Sequence, residues 1–96
     1  MELIGLLSEN REAILRLATQ HGAANVRVFG SVAREDATPE SDVDFLVDME
    51  AGRSLLDLVA LWQDLEDLLG RSVDVISDGG MSPYLRDKII AEAIPL

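Results

Sequence analysis

The stretch Gly30 to Val47, GSVAREDATPESDVDFLV, gathers residue types that can do chemistry. Asp42 and Asp44 stand two apart at the head of an apolar run, Phe45-Leu46-Val47. A strand turns alternate side chains to one face, so these carboxylates project together, about 7 Å apart along the backbone. Two such groups can share a divalent cation, and hard oxygen ligands suit Mg²⁺, which leaves its other positions to water and phosphate. Upstream, Gly30-Ser31 directly follows a short apolar run, Val26-Arg27-Val28-Phe29, and ten residues separate Ser31 from Asp42. A turn there, opening a short helix over Ser31 to Arg34, would present unpaired N–H groups to an anion. A third aspartate, Asp74, lies in Val73-Asp74-Val75-Ile76, another strand-like run. Neither an Asp-x-Asp nor a Gly-Ser dipeptide means much alone in an acidic chain. Their fixed spacing, with both at strand ends, points to a metal-dependent nucleotide site.

The elements that must hold these residues show in the periodicity. Residues 2–21 read as helical, with Leu3, Leu6, Leu7, Ile14, Leu17, Ala18 and His21 spaced three and four apart. Ser8-Glu9-Asn10 interrupts that stripe, which predicts a short helix followed by a longer one, and Gly22 supplies a stop. A strand over 26–29 leads into the Gly30-Ser31 turn. Glu35 to Ser41 is polar, contains Pro39 and reads as a surface loop. The second strand spans 42–47, and its apolar end suits a central strand covered by helices. Ser54 and Asp57 form a capping-box pattern ahead of a helix to about Leu69, whose stripe is Leu55, Leu58, Trp62, Leu65 and Leu69. Gly70 ends it. A third strand covers 73–76, then a loop over 77–80, and Ser82-Pro83 starts a last helix with Leu85, Ile89 and Ala93 as its expected buried face. This order predicts the α/β (α+β) class, a small mixed sheet of three to four strands covered by helices.

Ninety-six residues correspond to one small domain, 1–96, just large enough to close a single core. The chain is 48% apolar and has no cysteine, so neither disulfides nor a thiolate zinc site can hold it together. Met1-Glu2-Leu3-Ile4 lacks a basic leader, and no apolar run approaches the ~20 residues that span a bilayer, so the expectation is a cytoplasmic protein. A net charge of −10 repels phosphate backbones, which argues against free-standing nucleic-acid binding. Such a surface favours a basic protein partner, or merely keeps the chain soluble.

Other conspicuous residues have plainer readings. His21, at a helix end, suits the dipole or partial burial rather than catalysis. Trp62 belongs to the core stripe, Tyr84 is expected to pack, and Asp57, Asp64 and Asp67 form a solvated helix face.

Gly-Ser, ten residues, Asp-x-Asp and a later strand aspartate together resemble the DNA polymerase β-like nucleotidyltransferase fold. GSVAR, PESDVDFLV, LLGRSVDVIS and MSPYLRDKIIAEAIPL, from about Arg11 to Leu96, resemble the minimal nucleotidyltransferases in particular. Members of that family are antitoxins of HEPN/MNT (MntA-type) pairs, and some transfer AMP from ATP to a tyrosine of the toxin. The resemblance implies ATP as substrate, two Mg²⁺ ions, a HEPN-domain toxin in a hetero-oligomer, and Asp42, Asp44 and Asp74 as the catalytic, metal-holding set. Asp74 would bind the second metal, act as base toward the incoming hydroxyl, or both. Gly30 would let the triphosphate approach, Ser31 would donate to a β or γ phosphate, and Arg34 would reach the triphosphate. Glu35 stands where such proteins usually carry glycine. The competing readings are a non-catalytic antitoxin that blocks its partner by contact, and the catalytic subunit of a small-molecule nucleotidyltransferase.

Overall fold

The computed structural model describes residues 3–38 and 40–96, so expectations falling on Met1, Glu2 and Pro39 lie outside the described residues. The chain runs α1 (Leu3–Glu9), α2 (Arg11–Gln20), β1 (Ala23–Phe29), α3 (Gly30–Ala33), β2 (Val43–Met49), α4 (Leu55–Leu69), β3 (Val73–Ser77), a 3₁₀ turn (Asp78–Gly80), α5 (Pro83–Glu92) and β4 (Ile94–Pro95). The strands form one four-stranded sheet in the order β3-β2-β1-β4. β2 pairs β3 in parallel, and β1 pairs both β2 and β4 antiparallel. Two adjacent parallel strands need a long crossover, and α4 supplies it.

Alternation sorts the side chains of the sheet. Val43, Phe45 and Val47 of β2 join Val26, Val28, Val73 and Val75 in one buried cluster. Leu3, Leu7, Ile14, Ala18, Leu61, Leu65 and Leu69 join it from α1, α2 and α4, which cover this face, and Ala23 and Val32 complete it. The intervening residues of β2, namely Asp44, Leu46 and Asp48, turn to the opposite face, where Leu46 is also fully buried. The sheet therefore separates a core side from a polar side, and the three aspartates in question belong to the second.

Local chemistry explains most of the element ends. The helical region divides at Asn10, as the interrupted stripe predicts. In α4 the Ser54 hydroxyl accepts from the Leu56 N–H, the Asp57 carboxylate accepts from the Ser54 N–H, and Gly70 ends the helix with φ +66°.

Three expectations need correction. The buried stripe of α4 is Leu61, Leu65 and Leu69, while Leu55 is 73% exposed. Leucines at 55, 56, 58, 61, 65, 68 and 69 offer two neighbouring stripes of equal spacing, and packing selects one. Trp62 stays half-buried at the rim, where its indole N–H donates to the Val73 carbonyl at 2.7 Å. β1 begins at Ala23 rather than 26. Its register passes from Ala24↔Asp48 to Arg27↔Leu46, so Asn25 and Val26 oppose Val47 alone. That bulge interrupts the two-residue period on which the shorter estimate rested. Finally, α5 buries no residue: Leu85 and Tyr84 are exposed, and Tyr84, expected to pack, is 86% exposed. Among the described residues no helix is long and apolar enough to cross a membrane.

Candidate functional site

Strand register builds the site. Asp44 is the Cα partner of Asp74 across the parallel ladder and of Phe29 across the antiparallel one. Neighbouring strands lie about 4.8 Å apart, so the two aspartates stand side by side with the β1–α3 turn adjacent. Asp42 immediately precedes β2 and is exposed. The structure thus brings Asp44 and Asp74 together as in-register neighbours and keeps Asp42 at the mouth of the site.

Gly30 is fixed by two requirements. Its φ is +71°, a conformation costly for residues with a Cβ. An added Cβ would also land on the Asp44 carboxylate, at Oδ2. Glycine is what allows the turn and the carboxylate to share this corner. The following α3 is a single turn of four residues, so it offers individual N–H groups rather than a helix dipole.

Among the described residues, no donor or cation is bonded to the carboxylates of Asp42, Asp44 or Asp74. The Asp44 carboxyl is held above its ordinary value, first by burial and then by the charges of Asp74 and Asp42; Arg34 opposes this weakly. An uncompensated negative corner of this kind fits a cation. Yet among the described residues no three acidic or histidine side chains stand close enough to enclose a metal ion. The expected Asp42, Asp44 and Asp74 set is therefore not a ready-made cage. It fits a hydrated ion held by one or two carboxylates and completed by substrate oxygens, the manner in which Mg²⁺ is usually bound.

The anion-binding half differs from expectation. The Gly30 N–H already donates to Glu92 Oε1 at 2.6 Å, and Arg34 Nη1 donates to the same oxygen at 3.1 Å. Arg34 also meets Asp36 at 3.3 Å, and these two acids hold its guanidinium charged, Asp36 more strongly. Ser31 is half-buried, and its hydroxyl makes no hydrogen bond among the described residues. A cleft of about 230 Å³ opens beside this cluster, lined by Gly30, Arg34, Lys88 and Glu92 over an apolar base of Phe29 and Ile89. Glu35 has φ +63°, which explains why glycine suits that position.

Glu92 is the residue that sequence reasoning missed. A signal existed: it is an acid in the last turn of a helix, where a negative charge opposes the dipole. Such placement implies a partner elsewhere, but the sequence does not say which. The acidic α4 face also needs revision. Asp64 pairs with His21 at 2.7 Å, joining α2 to α4, and Asp57 serves the cap, so neither is merely solvated.

A family profile described as nucleotidyltransferase domain matches residues 10–96. A Methanocaldococcus jannaschii protein assigned as a protein adenylyltransferase is 40% identical over 88 residues, covering 92% of this chain and 95% of its own. Protein adenylyltransferase MntA of Thermococcus cleftensis is 35% identical over 94 residues, with 93% and 95% covered. A solved structure assigned as a minimal nucleotidyltransferase superposes with a TM-score of 0.89 at 52% identity, covering 100% of this chain and 97% of that one. A toxin–antitoxin structure with AMP-PNP shares the fold, with a TM-score of 0.78 at 20% identity over 90% of this chain and 71% of that one.

Proposed function

The chain belongs to the nucleotidyltransferase domain family, and from that membership we propose that residues 1–96 act as one minimal, Mg²⁺-dependent protein adenylyltransferase. Its role in this reading is that of a cytoplasmic antitoxin, which moves AMP from ATP onto a HEPN-type toxin and neutralises it. The observation that carries the proposal is the in-register pair Asp44 and Asp74, unpaired and beside the Gly30 turn. The protein acceptor is supported by relatives at 35–40% identity named for that activity. The toxin partner rests on the resemblance to the antitoxins of HEPN/MNT pairs, and a net charge of −10 suits a basic partner surface.

In this mechanism Asp44 and Asp74 would hold the metal, with Asp42 contributing from the mouth. When bound there, Mg²⁺ would supply charge neutralisation for the phosphates and the leaving pyrophosphate. The acceptor hydroxyl oxygen bonds to the α-phosphorus as the bond from that phosphorus to the bridging oxygen breaks. Asp74 takes the hydroxyl proton, and the electron pair leaves with pyrophosphate. Gly30 lets the chain approach the phosphates closely, while Ser31 Oγ and Arg34 orient them. The test is to mix purified protein, candidate HEPN partner, Mg²⁺ and α-labelled ATP. Label should move to a partner tyrosine, and its absence with an active toxin refutes the enzyme.

The occupied Gly30 N–H favours one second reading, blockade of the toxin by contact alone. Under that reading the double change Asp42→Asn with Asp44→Asn leaves neutralisation intact. Under the first reading it abolishes neutralisation.

A further inference from the structure

The contact between Glu92 and the β1–α3 turn joins the last residue of α5 to the site's backbone across 62 positions of sequence. One carboxylate oxygen, Oε1, accepts from both a backbone N–H and a guanidinium. Those are the donors a phosphoryl oxygen takes, in the same number and with the same charge preference. The side chain is 26% exposed, so the oxygen is neither loose in water nor sealed in a core.

We propose that Glu92 is an internal stand-in for a phosphoryl oxygen, and that a nucleoside triphosphate binds by displacing it from Gly30 and Arg34. This inference rests on the nucleotidyltransferase reading and assigns Glu92 the setting of nucleotide affinity.

The attachment of α5 makes displacement feasible. No side chain of α5 is buried, whereas α4 anchors itself with Leu61, Leu65 and Leu69. Beyond α5, β4 pairs only Arg27 and Val28 with Pro95 and Ile94, and the Leu96 N–H reaches the Val26 carbonyl at 3.0 Å. Arg86 ties α5 to Asp78 at 2.6 Å and Leu96 packs against the core, so the motion needed is local to the Glu92 end of α5, which can move aside without opening the core cluster. Lys88, one turn before Glu92, lines the same cleft and makes no ion pair among the described residues. An entering phosphate thus gains Arg34, Lys88 and the Gly30 N–H together. Glu92 in place also adds its negative charge to those of Asp42, Asp44 and Asp74, so its departure lowers the repulsion that a triphosphate meets.

The experiment measures binding of the α,β-methylene analogue of ATP with Mg²⁺ to the wild-type chain, Glu92→Gln and Glu92→Ala, by calorimetry. Hydrogen exchange over 83–96 is followed in the wild type as the analogue is added. Displacement predicts that both variants bind roughly three- to tenfold tighter, because the internal competitor is weakened or gone. It also predicts that exchange in α5 and β4 of the wild type rises as the site fills. Equal or weaker binding by a folded Glu92→Gln, or protection of α5 on binding, overturns the stand-in role and leaves the nucleotidyltransferase reading in place. If none of the three chains binds the analogue, both fall together.

Discussion

Strand β2 carries two aspartates four residues apart on the same side of the sheet, and the fold treats them in opposite ways. Asp48 accepts from Arg27 Nη2 at 2.8 Å and from Asn25 Nδ2 at 3.0 Å. Asp44 accepts from no described residue and faces Asp74 instead. Arg27 is only 12% exposed and is aimed by a further bond from Nε to the Asn25 carbonyl, so the Asp48 end is a finished ion pair. At the Asp44 end, the Arg34 guanidinium is engaged by Asp36 and Glu92. The difference teaches that the fold decides which acidic residue of this strand keeps a counter-charge. Residue type alone does not do it.

The largest test of that contrast is catalytic. Asp44→Asn should lower AMP transfer by at least ~10²–10³-fold, the scale of losing one electrostatic group at a reacting centre. Asp48→Asn should leave the rate within about threefold, because its charge is already spent on Arg27. Initial rates with saturating ATP and Mg²⁺ decide it, and equal losses in the two variants would erase the distinction between the ends.

Stability should move the other way. Asp48→Asn removes an ion pair and costs about 0.5–1 kcal/mol at pH 7. Asp44→Asn removes a penalised charge and should stabilise the metal-free chain by up to about 0.5 kcal/mol. The sign follows from burial and from Asp74, which raise the Asp44 carboxyl above its ordinary 3.8. A raised group contributes fully below its unfolded value, and that contribution disappears as the pH climbs through the folded one. The advantage of Asp44→Asn is thus present at neutral pH and closes on acidification through the raised value. Asp57 provides the opposite control. The Ser54 N–H bond lowers its carboxyl, so its contribution is present at neutral pH and vanishes as the pH falls through the lowered value. Urea melts across the acid limb separate the two signs. A destabilised Asp44→Asn at pH 7 would mean that the corner is compensated after all.

Much of this arrangement was legible beforehand because it rests on short-range patterns. Val43 to Val47 reads as a central strand by its apolar run, Ser54 and Asp57 announce the cap, and Gly30 marks a turn that only glycine fits. What escaped depends on contacts between residues far apart in sequence. The strand expected over 42–47 stops short of Asp48, whereas β2 runs on to Met49, and which aspartate meets an arginine depends on the β1–β2 register and its bulge at Asn25. Glu92 reaches Gly30 only once β4 has pinned the chain end beside β1. The shallow burial of α5 escaped for a related reason. Leu85, Ile89 and Ala93 have helical spacing, yet the core side of the sheet was already filled by α1, α2 and α4. Periodicity identifies an apolar face without saying whether room remains for it.

The smallest expected effect extends the contrast to the backbone. Among the described residues, two that are not glycine adopt positive φ, Asn25 at +51° beside Asp48 and Glu35 at +63° beyond the Gly30 turn. Asparagine tolerates this region, and here its amide also donates to Asp48. Glutamate has no such compensation: among the described residues Glu35 makes no side-chain hydrogen bond. Glu35→Gly should therefore relieve backbone strain and stabilise the chain by about 0.4–1 kcal/mol, less the entropy glycine adds to the unfolded state. Asn25→Gly keeps the conformation but loses the bond to Asp48, so it should be neutral or slightly destabilising. Thermal melts of the two variants under one buffer measure the difference. If both glycines stabilise alike, Asn25 carries strain of its own, and the contrast between the two positions fails.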